Sequence, residues 1–177
     1  MPLIKADGGS VEENSNTILQ FCFFMRLPIQ IEAILFKRTD GKIQYLLLKA
    51  VPKRGEFWQP ITGGLEEGEA KIEALRREIK EETGIQKIIK TIEDVHYYEP
   101  IDPSLIEYLN THGQACTHLK QYVFGVEVSS DEKVVLDGKE HSEFKWCSFQ
   151  DALGLLKWKG NKEALEKLNE ILSRHCL

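Results

Sequence analysis

Residues 63–85 read GGLEEGEAKIEALRREIKEETGI, and this stretch decides the reading of the whole chain. Ile72, Leu75 and Ile79 recur at helical spacing, which predicts a helix over 69–83. Gly84 stands where a left-handed glycine commonly ends a helix. Glu78, Glu81 and Glu82 fall at i, i+3 and i+4, so they share one face, at the rim of the apolar stripe. Like charges at that spacing weaken an isolated helix, so a helix that keeps them has a use for them. A hard divalent cation such as Mg²⁺ supplies one, because it takes carboxylate oxygens and still keeps waters and phosphate oxygens. Arg77 is placed to pair with one of these carboxylates and fix its direction. Upstream, Gly63 and Gly64 permit a close backbone approach that larger residues would block. Gly68 bends the chain before the helix, and Glu69 suits the first turn. The expected unit is a loop–helix–loop that fixes a carboxylate cluster beside an open backbone pocket.

Outward from this unit, strand and helix signals fill the rest of the chain. Residues 29–36 and 45–50 read as strands, with Asp40-Gly41 between them as a hairpin turn. Residues 52–56 read as a loop carrying Lys53 and Arg54, and 57–61 as a short apolar run ending on the glycine pair. Beyond the helix, 85–92, 95–98, 121–128 and 144–147 read as strands, and 99–117 as a long polar connection. Helices over 150–158 and 161–175 close the chain. Strands, a helix, more strands and then helices predict an α/β fold of the α+β kind, a mixed sheet with helices on both faces. Residues 1–26 lack periodicity over most of their length and are expected to form a flexible extension, with Met25 as an alternative natural start. Residues 27–177 are expected to form one domain.

Composition narrows the function. The 177 residues are 42% hydrophobic and 29% charged, an ordinary globular balance. A net charge of −5 lacks the basic footprint that polymeric nucleic acid demands, whereas a small polyphosphate is compatible if bound cations supply the positive charge. Cys22, Cys116, Cys147 and Cys176 are scattered with no zinc spacing, which predicts free thiols in a reducing cytoplasm. The apolar run 19–25 is too short to span a bilayer and follows Glu12 and Glu13, so neither a membrane span nor a signal peptide is expected.

A solvated Glu/Lys/Arg helix is the plain alternative for three glutamates, but the full pattern is far more specific. Gly63, Glu69, Arg77, Glu78, Ile79, Glu81, Glu82, Gly84 and Ile85 match the Nudix box, G-x5-E-x7-R-E-U-x-E-E-x-G-U, at every position. Seven fixed matches at ordinary residue frequencies arise by chance about once in a million chains of this length. The sequence therefore resembles the Nudix hydrolases. The resemblance implies an α/β/α sandwich around a mixed sheet, and attack of water on phosphorus in a nucleoside diphosphate linked to another group. Carried over, it makes Glu78 and Glu82 metal ligands, and Glu81 a ligand or the general base. Mg²⁺ is the implied cofactor, with Mn²⁺ as its substitute. Glu69 and Arg77 then hold the box together, and Gly63 and Gly64 border the substrate.

Segments outside the box resemble the bacterial dihydroneopterin triphosphate pyrophosphatases, also described as dATP pyrophosphohydrolases. These are Phe57-Trp58-Gln59, Ile61-Thr62-Gly63, Glu140-His141, Phe144-Lys145-Trp146, Trp158 and Asn161. This likeness implies Glu140 as a further metal ligand, with Glu143 as its rival, and Thr62 as a substrate contact. The loop after Lys49 and the 99–117 region depart from that branch. Trp58 and Trp146 read as core residues and His141 as structural. The expected reaction converts a nucleoside or pterin triphosphate to a monophosphate and pyrophosphate. Rival readings are a dinucleoside polyphosphate or nucleotide-sugar hydrolase, and a binding module, although such modules carry eroded boxes. A homodimer is expected by analogy with the family.

Overall fold

The computed structural model describes residues 26–99, 106, 107, 110, 111 and 117–174. The expected extension over 1–26, apart from Arg26, and most of the 99–117 connection lie outside the described residues, as do Cys22, Cys116 and Cys176. Cys147 is a free, buried thiol.

The strands are β1 (Arg26–Thr39), β2 (Lys42–Ala50), β3 (Trp58–Gln59), β4 (Ile61–Glu66), β5 (Ile88–Tyr98), β6 (Lys120–Val128) and β7 (His141–Cys147). The helices that cover the sheet are α1 (Lys71–Thr83), α2 (Phe149–Leu155) and α3 (Lys159–Arg174). All seven strands join one mixed sheet of order β3-β2-β1-β6-β5, with β4 on β1 and β7 on β2. β1 runs parallel to β6 and antiparallel to β2 and β4. Asp40 and Gly41 both take positive φ, 50° and 73°, as the tight β1–β2 hairpin requires.

The central strands are apolar on both sides because both sheet faces are covered. On one face Ile31, Ala33, Leu35, Leu46, Leu48, Phe124 and Val126 pack against Ala74, Leu75 and Ile79 of α1. On the other, Ile34, Phe36, Tyr45, Leu47 and Val123 pack against Ala152 of α2 and Ala164, Leu165 and Leu168 of α3. The expected α/β/α sandwich is the observed architecture. Trp58 and Trp146 pack against these cores.

Three expectations change. Residues 85–92 and 95–98, read as two strands, contribute to one strand, β5. Its register shifts between Ile92 and His96, where Asp94 takes φ 52°, and this bulge resembles a break in the sequence pattern. The glycine pair 63–64, expected to end an apolar run, sits inside β4. Glu69 precedes α1 instead of opening it, and the helix starts at Lys71. There Glu73 reaches back to the Ala70 backbone N–H at 2.9 Å.

Candidate active site

The site forms where α1 lies along β4. Among the described residues, β4 and α1 are joined by a cluster centred on Arg77. Its Nε donates to Glu69 Oε1 at 2.8 Å and its Nη2 to Glu69 Oε2 at 2.9 Å, a two-pronged pairing. Nη2 also donates to the Gly64 carbonyl at 2.9 Å, and Nη1 to Glu78 Oε1 at 2.6 Å. Glu69 in turn accepts from the Glu66 backbone N–H at 3.1 Å. One guanidinium thus ties the end of β4, the loop and the helix into a single unit, and aims Glu78. Arg77 holds the Glu69 carboxyl below the usual carboxylate range.

Gly63 is needed by contact. A Cβ on Gly63 would overlap the carboxyl group of Glu78, so the Glu78 side chain lies directly over the β4 backbone. Burial pushes the Glu78 carboxyl up to about 7 against the pull of Arg77, and the charges of Glu82 and Glu81 add to the rise. Glu82 is buried, and its carboxyl is also raised, first by burial and then by Glu140, against His141 and the Thr62 backbone N–H. Glu81 lies on the same helix with its side chain 59% exposed, and its nearest cationic partner is Arg77 at 3.6 Å. The helix therefore offers two sheltered carboxylates and one at the solvent edge.

β7 supplies the other wall. His141 opens this strand opposite Ala50, while Glu143 pairs with Lys49, so Ser142 is an extra residue and the strand bulges. The bulge turns His141 inward, and its Nε2 lies 2.8 Å from Glu82 Oε2. Donor atoms of Glu82, Glu140 and His141 lie within 4.8 Å of one another. Glu140 is exposed and contacts Arg54. Glu143 is engaged elsewhere, by Lys49 at 2.9 Å.

The structure therefore gathers Glu82, Glu140 and His141 and brings Glu69, Arg77, Glu78, Gly63 and Gly64 together beside them. Thr62 is half-buried on β4 next to Gly63. Burial and neighbouring carboxylates both oppose charge on Glu78 and Glu82, and a divalent cation would offset both. The buried Oε2 of Glu82 has no hydrogen-bond partner, so the donor set fits a metal. Sequence reasoning did not place His141 in this cluster, because a bulge, not periodicity, turns it toward Glu82. It also missed Glu32 on β1, fully buried across from Thr62 and bonded to Tyr98 and Gln121.

Comparison with known proteins agrees with this geometry. The NUDIX domain profile matches residues 28–168. The chain belongs to the Nudix family. It is a Nudix pyrophosphohydrolase. It is 24% identical over 141 residues to dihydroneopterin triphosphate diphosphatase of Escherichia coli K12, covering 79% of this chain and 91% of that protein. It is 28% identical over 145 residues to the asymmetrical bis(5'-nucleosyl)-tetraphosphatase of Caenorhabditis elegans, covering 79% and 93%. A Myxococcus xanthus protein named octanoyltransferase is 34% identical over 144 residues, 79% of this chain, but the match spans only 36% of that protein. In three dimensions the chain is similar to a Nudix hydrolase structure from Listeria monocytogenes, with a TM-score of 0.69, 29% identity, and 84% and 97% of the two chains covered. No helix among the described residues is long and apolar enough to cross a membrane.

Proposed function

We propose that this Nudix enzyme hydrolyses a nucleoside or pterin triphosphate to a monophosphate and pyrophosphate. The observation that carries the reading is the sheltered carboxylate pair, Glu78 and Glu82, on one face of α1 with Glu140 across from Glu82. Glu78, Glu82 and Glu140 would hold Mg²⁺, or Mn²⁺ in its place. A cation held there would neutralise phosphate charge and acidify the attacking water. Glu81, at the solvent edge, takes the proton of the water that attacks phosphorus, and the anhydride oxygen leaves with the departing pyrophosphate. Thr62, Gly63 and Gly64 present a strand backbone to the substrate. Arg77, locked by Glu69, fixes the direction of Glu78. The partner is a small nucleotide-like molecule in the cytoplasm, with the chain acting as a homodimer.

Similarity to the asymmetrical tetraphosphatase favours a second reading, cleavage of a dinucleoside polyphosphate. A substrate panel in Mg²⁺ with chromatographic product analysis separates the two. Selective formation of pyrophosphate and a monophosphate from dihydroneopterin triphosphate or dATP is the expected result. Preferential cleavage of a dinucleoside tetraphosphate or a nucleotide sugar would replace the leading reading.

A further inference from the structure

His141 is almost wholly buried, with 1% of its surface exposed, yet neither ring nitrogen has a hydrogen-bond partner. Each unpartnered buried polar atom costs about 1–3 kcal/mol, so such a side chain is not filler. Nε2 lies 2.8 Å from Glu82 Oε2, and both atoms still lack hydrogen-bond geometry. Two ligand atoms about 2.1 Å from one metal, at right angles, stand about 3.0 Å apart without pointing at each other. The 2.8 Å separation matches that arrangement. Glu140 completes the set within 4.8 Å.

We propose that His141 Nε2 is a nitrogen ligand of the cation held by Glu82 and Glu140, and that it biases the centre toward Mn²⁺ and Co²⁺ over Mg²⁺. Ligation gives partners to two of the three orphaned atoms, Nε2 and Glu82 Oε2, and leaves Nδ1 as the protonated nitrogen. Mg²⁺ favours oxygen ligands and holds its waters, whereas imidazole suits the first-row transition ions. The Ser142 bulge presents this nitrogen to the carboxylates. The proposal rests on the reading of Glu82 and Glu140 as metal ligands.

The test is pulsed electron paramagnetic resonance of the full chain loaded with Mn²⁺, in ordinary and nitrogen-15-histidine forms, with affinity measured by Mn²⁺ titration. The expected result is a nitrogen modulation that changes with the isotope. His141→Gln should remove it, weaken Mn²⁺ binding about tenfold, and weaken Mg²⁺ competition by less than about threefold. The labelled wild-type spectrum stands even if that variant folds poorly. Mn²⁺ binding that Glu82→Gln abolishes, but that shows no nitrogen modulation, overturns the proposal and leaves the carboxylate site intact. Absence of stoichiometric Mn²⁺ binding by the wild type overturns the carboxylate reading and the proposal together.

Discussion

Gly63 and Glu78 form the tightest pairing in the site, because the carboxyl of one occupies the space where a side chain on the other would begin. Gly63→Ala should therefore displace Glu78 and cut turnover by about a hundredfold, while circular dichroism and melting stay near wild type, since a carboxyl tip moves more easily than a strand. An unchanged rate would show that the position of Glu78 over β4 has no catalytic use. The residues of this pairing were legible in the sequence, because their spacing is fixed by one helix and the loop before it. Arg77 was legible as a partner for one carboxylate, but its actual load was not. It holds Glu69, Glu78 and the Gly64 carbonyl at once, and those distances depend on how the loop folds back on the helix. Arg77→Lys should lose the two-pronged grip on Glu69 and lower kcat about tenfold or more, checked by steady-state kinetics. His141 was legible only as a structural residue beside Glu140, since nothing in a sequence marks Ser142 as the extra residue of a bulge.

At the scale of elements, helix α1 and the central strands follow their patterns closely, and departures occur where a bulge or a short pairing intervenes. β5 looked like two strands because the bulge at Asp94 interrupts its alternation. β1 carries the clearest surprise, a fully buried glutamate between Ile31 and Ala33. Glu32 Oε2 accepts from Tyr98 and Gln121 at 2.7 Å each, and burial pushes its carboxyl up to about 7. A folded-state pKa raised above the ordinary 4.5 means that the folded chain binds this proton more tightly. Its stabilising effect is fully present below pH 4.5 and is lost as pH rises to about 7, a difference of about 3 kcal/mol at most. Glu32→Gln should flatten that part of the stability curve, read as the wild-type-minus-variant difference in urea midpoints between pH 4.5 and 7.5. Equal slopes would show that Glu32 is charged in both states. The same cluster fixes α3: a Cβ on Gly160 would overlap the Tyr98 ring, which Glu32 and Gln121 hold in place.

At the scale of the whole molecule, two apolar cores clamp the sheet, and the carboxylates stand at the rim of the core under α1. The sandwich was legible from the order of strands and helices and from the family resemblance, because helices that follow strands in this order cover both sheet faces. The strand order was not, because the β1–β6 parallel pairing joins segments far apart in the chain. A rigid frame with a repulsive carboxylate cluster should gain stability from a cation. Mn²⁺ at about 100 times its Kd should add about 2.7 kcal/mol, or about 5–10 °C in Tm, and Glu82→Gln should abolish the shift. The carboxylate site is tested most directly by the Mg²⁺-dependent release of pyrophosphate from a triphosphate substrate by the wild type, Glu78→Gln and Glu82→Gln in parallel. Each variant should keep its fold and lose turnover by about a hundredfold or more. Near-wild-type rates in both variants would contradict this, because the carboxylates at the centre of the site would then be dispensable.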